Sequence, residues 1–304
     1  MQIALKVDVD TYRGTLEGVP ALAAELGRRG LAASFYFSLG PDHTGRALRR
    51  VLRPGFLSKV SRTSVISHYG LRTLLYGVLL PAPHIGRRAA GVLRATRDAG
   101  HETGIHCYDH VYGQDNAAER GAAWTARQVG LAADAYRELF GSQARAHCAA
   151  GWQVNAHLLA LEDQLGFDYA SDSRGTHPFL PALDGVCATC PQLPTTLPTL
   201  DELIGVDGRD VAGAIDRLLD LTAAPPAAGA HVFTLHAELE GQRLRDPFLR
   251  LIDTWRSRGV ELVTLARLRA QLDPARLPRH AIEQGEIPGR SGRLALQGPR
   301  LAPL

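Results

Sequence analysis

Two short runs of this sequence carry residue types at spacings suited to metal-assisted hydrolysis. Val7-Asp8-Val9-Asp10 puts two carboxylates two residues apart, and His106-Cys107-Tyr108-Asp109-His110 puts two imidazoles four apart. A borderline-soft divalent ion takes neutral imidazole and carboxylate ligands, and histidines at i and i+4 reach one ion from a turn or a first helical turn. Asp10, His106 and His110 together make a three-ligand site that leaves positions for water and a substrate oxygen. Asp8 is then close enough to take a proton from the attacking water. The competing readings of Asp8 are a strand-end cap or an ion pair with Lys6 one layer down. A third run, Val232-Phe233-Thr234-Leu235-His236, ends in a histidine followed by Ala237-Glu238. Beside a metal, that histidine is suited to protonate a leaving amine, whereas alone it reads as structural.

These residues need a scaffold, and the hydrophobic pattern points to one. Ile3, Leu5, Val7 and Val9 alternate with Ala4, Lys6, Asp8 and Asp10, the period of a strand that runs straight into the carboxylate pair. Gly18 and Pro20 open a helix that Gly30 stops, and a second strand follows from Ala32 to Ser38. Further strands are expected from Glu102 to His106, Ala144 to Cys148, Asp168 to Ser171, His231 to His236 and Glu261 to Thr264. Helices are expected at about Gly86 to Ala99, Ala117 to Phe140, Val154 to Leu165, Val211 to Leu221 and Pro247 to Arg258. The alternation predicts parallel strands joined by right-handed crossovers, and about seven of them predict a closed or nearly closed β/α barrel rather than an open sheet. Polar sites of such barrels gather at the C-terminal strand ends, where Asp8, Asp10, His106, His110 and His236 all fall. No internal repeat or linker divides the chain. After Pro274 a tail rich in Pro, Gly and Arg is expected to wrap the surface or fray.

Composition narrows the class. The 304 residues are 45% hydrophobic and 21% charged, a globular balance that excludes disordered, collagen-like and coiled-coil readings. The longest uncharged, mostly apolar stretch near the middle, Leu74 to Pro83, is far short of the roughly 20 residues that span a bilayer. The N-terminus shows no basic region leading into an apolar core and a cleavage site, so a cytoplasmic protein is expected. Cys107, Cys148, Cys187 and Cys190 are expected as free thiols, because the single C-x-x-C precedes Pro191 instead of opening a helix. The formal charge of +3 hides a segregation, since His43 to Arg97 holds eleven Lys or Arg and no acidic residue. There Arg49, Arg50, Arg53 and Lys59 are interleaved with Phe56 and Leu57. Such a segment can lie in an anionic headgroup layer, where each nearby cation gains about 1 kcal/mol. An ordinary solvated face is the plainer alternative. Nucleic acid is not expected as a partner, because the apolar positions are largely aliphatic and no binding module is visible.

Taken together, these motifs resemble the NodB-type polysaccharide deacetylases, metal hydrolases on a distorted β/α barrel. The first motif of that family, an aromatic residue followed by Asp-Asp, is here Val7-Asp8-Val9-Asp10, and the second carries His106 and His110. The third, Arg-x-Pro before glycine, is here His147-Cys148-Ala149-Ala150-Gly151-Trp152 and lacks both the arginine and the proline. The fourth supplies an acidic residue at Asp172, and the fifth is Leu235-His236. The resemblance makes Asp8 the base, Asp10, His106 and His110 the metal ligands and His236 the general acid. It also leaves the arginine that usually orients the base missing. Arg174 or Asp172, in Ser171-Asp172-Ser173-Arg174-Gly175, is expected to orient Asp8 or His236.

One branch of the superfamily shares these departures, the deformylases of 4-deoxy-4-formamido-L-arabinose carried on undecaprenyl phosphate. The likeness runs through Val7 to Thr15, Phe37 to Asp42, His106 to His110, Ala149 to Trp152, Ser171 to Gly175, Leu193 to Gly205 and Thr234 to Glu238. It implies an α/β fold, a (β/α)7-type barrel over residues 1–275, with a basic, helical, membrane-facing insertion at 43–83 after the second strand and a tail at 276–304. It implies one divalent ion, zinc by default, with cobalt, manganese or iron as alternatives. Arg13, Asp42, Trp152, Asp172, Arg174 and Glu238 are implied as substrate-contacting or supporting residues. The implied partners are the lipid-linked formamido sugar and an anionic membrane surface, with peripheral attachment to the inner face of the cytoplasmic membrane. The implied role is in lipid A modification and resistance to polymyxin-like cationic peptides. A general polysaccharide N-deacetylase and a catalytically inactive lipid-binding protein are the alternatives.

Overall fold

The computed structural model describes residues 1–47, 70 and 72–302. In chain order its strands are β1 (Gln2–Val9), β2 (Ser34–Ser38), β3 (Glu102–Cys107), β4 (Ala146–His147), β5 (Tyr169–Ala170), β6 (Leu180–Leu183) and β7 (Val186–Cys187). They continue with β8 (Ala230–His236), β9 (Glu261–Val263), β10 (Arg279–Gly285) and β11 (Leu294–Arg300). The main sheet runs β5-β4-β3-β2-β1-β8, every pair parallel, and β9 lies against the first residues of β1. The gap between β5 and β8 is spanned by extended chain at 191–197. Leu193 N donates to Ala170 O at 2.8 Å on one side, and Thr196 N donates to Val232 O at 3.1 Å on the other. The seven-stranded distorted barrel expected from the alternation is therefore what forms.

β1 shows how the strand pattern works inside a barrel. Its seven residues from Ile3 to Val9 are all buried, because neither face meets water. Ile3, Leu5, Val7 and Val9 pack outward with Leu22, Leu26, Leu93, Leu251 and Trp255 of the surrounding helices. Ala4 faces the other way, with Tyr36, Cys148, Tyr169, Leu193 and Val232 in a small inner cluster. Each large apolar side chain fully removed from water contributes on the order of 1.5–3 kcal/mol. The polar half of the alternation is thus the lining of the barrel.

The helices largely follow the sequence reading, at Val19–Arg28, Ala90–Asp98, Ala122–Phe140, Ala156–Leu165, Val211–Leu221 and Arg245–Ser257. Two are shorter than expected. The helix expected from Gly86 breaks at Ala89, at φ −109°, into Ile85–Arg88 and Ala90–Asp98. The one expected from Ala117 starts only at Ala122, because Gly121 is extended, with ψ at 179°. The larger correction is the tail after Pro274. Instead of wrapping or fraying, it supplies β10 and β11 to a second sheet of order β11-β10-β6-β7. Only His280 and Ile282 of β10 are buried, too weak an alternation to announce a strand. That sheet reaches the barrel through Arg174, whose N donates to Ala295 O at 2.9 Å and whose O accepts from Gln297 N at 2.7 Å.

The expected membrane-facing residues Arg49, Arg50, Arg53, Phe56, Leu57 and Lys59 lie outside the described residues. At the described end of that stretch Leu74 and Tyr76 are buried, while Val78 and Leu79 are 56% and 76% exposed. No helix among the described residues is long and apolar enough to cross a membrane.

Candidate active site

β1 carries Asp8 at its penultimate position and hands Asp10 to the turn beyond it. Across the ladder Asp8 is the register partner of His236 on β8 and of Tyr36 on β2. β3 ends with His106 and Cys107, and His110 opens the helix His110–Asn116. Asp109 caps that helix by accepting from Tyr112 N at 3.1 Å, and its other oxygen meets His43 Nδ1 at 2.5 Å. The four-residue histidine spacing therefore bridges a strand end and a capped first helical turn.

Three of the expected residues converge. Asp10 Oδ1 lies 3.2 Å from His106 Nε2 and 3.4 Å from His110 Nε2. Asp10 and His106 are 7% and 1% exposed. Asp10 Oδ1 has no hydrogen-bond partner among the described residues, an orphan that a buried carboxylate does not tolerate without a cation. His106 Nδ1 lies 2.9 Å from the Cys148 carbonyl, so it is the donor there and Nε2 is left as the lone-pair nitrogen facing Asp10. The donor set of one carboxylate and two imidazoles suits a borderline divalent ion.

Asp8, 3% exposed, sits inside the barrel beside this group. Cys148 Sγ lies 3.3 Å from its Oδ1, and Lys6 Nζ lies 3.7 Å from its Oδ2. On the adjacent strand, burial would depress the His236 imidazolium, but Asp201, then Asp10, Glu240 and Asp8, lift it to about 9. His236 is thus a cation at neutral pH, the form a proton donor needs.

Glu238 and Asp42 brace the turn after β1. Glu238 Oε1 accepts from Asp10 N at 3.1 Å, Thr11 N at 2.8 Å and Thr11 Oγ1 at 2.8 Å. Burial, with Asp10 adding, lifts its carboxyl to about 8. A β-carbon on Gly14 would fall 1.9 Å from that same oxygen, so only glycine lets the turn approach Glu238 this closely. Asp42 accepts from Tyr12 N at 2.8 Å and from Thr44 Oγ1 at 2.6 Å, tying the β1 turn to the β2 turn. Arg13 pairs with Glu17 at 2.9 Å, and among the described residues no hydrogen bond or ion pair joins it to Asp8 or Asp10.

Asp172 and Arg174 correct the sequence reading, because neither contacts Asp8 or His236. Asp172 Oδ1 lies 3.0 Å from His147 Nδ1 and accepts from Ala149 N at 2.6 Å, while its Oδ2 accepts from Gln192 Nε2 at 2.8 Å. Glu162 meets the same imidazole nitrogen at 3.0 Å. Burial would depress His147, but Asp172 and Glu162 raise it to about 10. This closed cluster fixes the backbone at 147–149 and with it the Cys148 carbonyl that orients His106. Arg174 instead bonds Glu202 at 2.7 Å and packs 5.1 Å from the ring of Trp152, which Arg290 covers at 4.4 Å. Trp152 itself is buried, donating to Thr195 Oγ1 at 3.3 Å.

Glu162, Asp201 and Glu240 shape the site without having been singled out in the sequence, and Cys148 stood there only within the third motif, with no role of its own. Asp201 alone has a local signal: it lies inside the capping box of Thr199 and Glu202, and Thr199 Oγ1 donates to it at 2.6 Å. Glu240 accepts from His236 N at 2.7 Å, a contact set by the turn after β8.

No protein-family profile matches the chain. Among curated proteins, a Shewanella sediminis protein named as a probable 4-deoxy-4-formamido-L-arabinose-phosphoundecaprenol deformylase, ArnD, is 36% identical over 296 residues, covering 97% of this chain and 94% of its own length. A Wigglesworthia glossinidia brevipalpis protein of the same name is 30% identical over 289 residues, covering 93% and 98%. Among solved structures, a polysaccharide deacetylase candidate from Mycobacterium smegmatis superposes with a TM-score of 0.63 at 18% identity over 94% of both chains. A probable polysaccharide deacetylase from Pseudomonas aeruginosa PAO1 gives 0.58 at 15% identity over 88% and 89%. At these identities the two structures speak to the fold alone, which is that of the polysaccharide deacetylases.

Proposed function

Because the chain belongs to the 4-deoxy-4-formamido-L-arabinose-phosphoundecaprenol deformylase family and is thereby a hydrolase of a linear amide C–N bond, we propose that it removes the formyl group from that sugar on undecaprenyl phosphate. Water and the formamide give formate and the free 4-amino sugar lipid. The observation that carries this reading is the buried Asp10–His106–His110 group with its orphaned Asp10 oxygen, beside Asp8 and its register partner His236.

In the proposed mechanism Asp10, His106 and His110 would hold one divalent ion, zinc by default, with cobalt, manganese or iron able to replace it. When bound, such an ion polarises the formyl oxygen and acidifies the attacking water. Asp8 accepts the proton of that water as it adds to the formyl carbon. His236 donates a proton to the sugar nitrogen as the C–N bond breaks, so the amine leaves neutral. Cys148 Sγ holds Asp8, and the Asp172–His147–Glu162 cluster steadies the Cys148 carbonyl that orients His106. The new amine takes up a proton in water, and the added charge offsets phosphate on lipid A, the proposed route to polymyxin resistance.

The substrate tail does not leave the bilayer, so the enzyme must come to it. The acid-free stretch from His43 to Arg97, with the exposed Val78 and Leu79 at its described end, supports peripheral docking on the anionic inner leaflet. Formate release from the lipid-linked formamido sugar, abolished by a chelator and restored by zinc, tests the whole reading. Acetate release from an N-acetylated polysaccharide instead would favour a general deacetylase, and no turnover of either by metal-loaded protein would favour a lipid-binding role.

A further inference from the structure

Lys6 is a lysine with no exposed surface, in the middle of β1 and facing the barrel interior. Burying an ammonium is costly unless an opposite charge and hydrogen-bond acceptors replace its water. Among the described residues its single ion pair is with Asp8, at 3.7 Å from Oδ2. Its one hydrogen bond goes to Ser171 O at 2.8 Å. Two aromatic rings wall in the ammonium, with centroids 5.9 Å away at Tyr36 and 5.4 Å away at Trp152. Both rings are themselves pinned, Tyr36 Oη to Tyr169 Oη at 2.6 Å and Trp152 Nε1 to Thr195 Oγ1 at 3.3 Å. Carbonyl and rings thus fix the charge at one point, and that point is beside Asp8.

We infer that Lys6 is a positioning residue that holds the Asp8 carboxylate in its working orientation from inside the barrel. Lys6 and Asp8 are two residues apart on one strand, so their side chains share a face by backbone geometry. The carboxylate is gripped on two sides, Oδ2 by Lys6 and Oδ1 by Cys148. Each oxygen keeps a further lone pair for the reacting water. Lys6 lies beneath the site and touches no substrate, so its effect belongs in turnover and not in binding. The inference rests on Asp8 acting as the base.

A double-mutant cycle on the metal-loaded enzyme tests it, with Lys6→Met, Asp8→Asn and the pair, reading formate release and metal content together. Lys6→Met should lower kcat by roughly 10- to 100-fold with KM within about twofold and metal content unchanged. In the Asp8→Asn background the same change should alter kcat by less than about twofold, because the group it positions is already gone. Equal fold losses in both backgrounds, or a rise in KM at unchanged kcat, would overturn the inference while leaving Asp8 as the base. Wild-type turnover by Asp8→Asn would overturn both. A second readout does not depend on the single lysine variant folding. Asp8→Asn leaves the ammonium buried without its carboxylate and should melt below wild type, and adding Lys6→Met should raise the melting temperature again. A double variant less stable than Asp8→Asn also refutes the pairing.

Discussion

Asp8 and His236 are register partners on adjacent parallel strands, β1 and β8, so their side chains leave the ladder on the same face. The backbone ladder, and no loop, sets their separation, so the proposed proton acceptor and proton donor are held side by side before substrate arrives. Asp8→Asn should keep its metal and lose roughly 10²- to 10⁴-fold in kcat, and His236→Ala should lose a comparable factor. Steady-state formate release checks both; normal turnover in the two variants would dismiss the mechanism.

His106→Ala removes one of the two imidazoles around the Asp10 oxygen, which has no hydrogen-bond partner among the described residues. Elemental analysis of the purified variant should show the divalent ion largely lost along with activity. Full occupancy at unchanged rate would mean that the ion is held elsewhere.

The His236 imidazolium, lifted to about 9, must be protonated to act as an acid. The rate should therefore hold through neutral pH and fall as pH rises through about 9. Asp201 is the strongest of the groups that lift it. Asp201→Asn should move the alkaline limb of the kcat profile down toward the ordinary histidine value of about 6.5. A limb that stays in place would remove His236 as its origin.

His147 lies between two buried carboxylates, and His147→Gln should cost on the order of 3–5 kcal/mol by breaking a buried charge cluster. Its folded value, about 10, is above the unfolded one, so its contribution is complete below about pH 6.5. That contribution fades as pH climbs through about 10. Urea unfolding of wild type and variant at pH 6 and pH 10.5 should show the gap narrowing at the higher pH.

Replacing Arg49, Arg50 and Arg53 with Glu should cut activity on the lipid-linked sugar far more than on a soluble sugar formamide. Binding to anionic liposomes should weaken with salt, since exposed charges are screened over about 8–10 Å near physiological ionic strength. Equal losses on both substrates would assign the stretch to supporting the barrel.

What was legible in the sequence is what short spacing encodes. Asp8, Asp10, His106 and His110 could be read because each pair lies within one strand end or one turn, and strand ends are where such barrels keep their chemistry. The two-residue period of β1 marked Lys6 as sharing a face with Asp8, but not that this face is sealed from water. Asp172 was misassigned because its partners, His147, Ala149 and Gln192, come together only through the β4–β5 pairing and the stretch at 191–197. The stretch at 191–197 closes the barrel without strand periodicity, and β10 takes its place from β6 and β11 rather than from its own pattern.

β1 pairs with β2 close by in the chain, but its other edge belongs to β8, and Glu238 braces the Asp10 backbone across 228 residues of sequence. A growing chain makes Asp8, Asp10, His106 and His110 long before it makes His236 or Glu238. Such a nascent chain has candidate ligands but neither a proton donor nor the brace, and β1 has an open edge. Pairing segments this far apart carries a loop-closure cost that local contacts do not. The candidate site is thus whole only once the two ends of the chain have met, so that site and barrel are completed together.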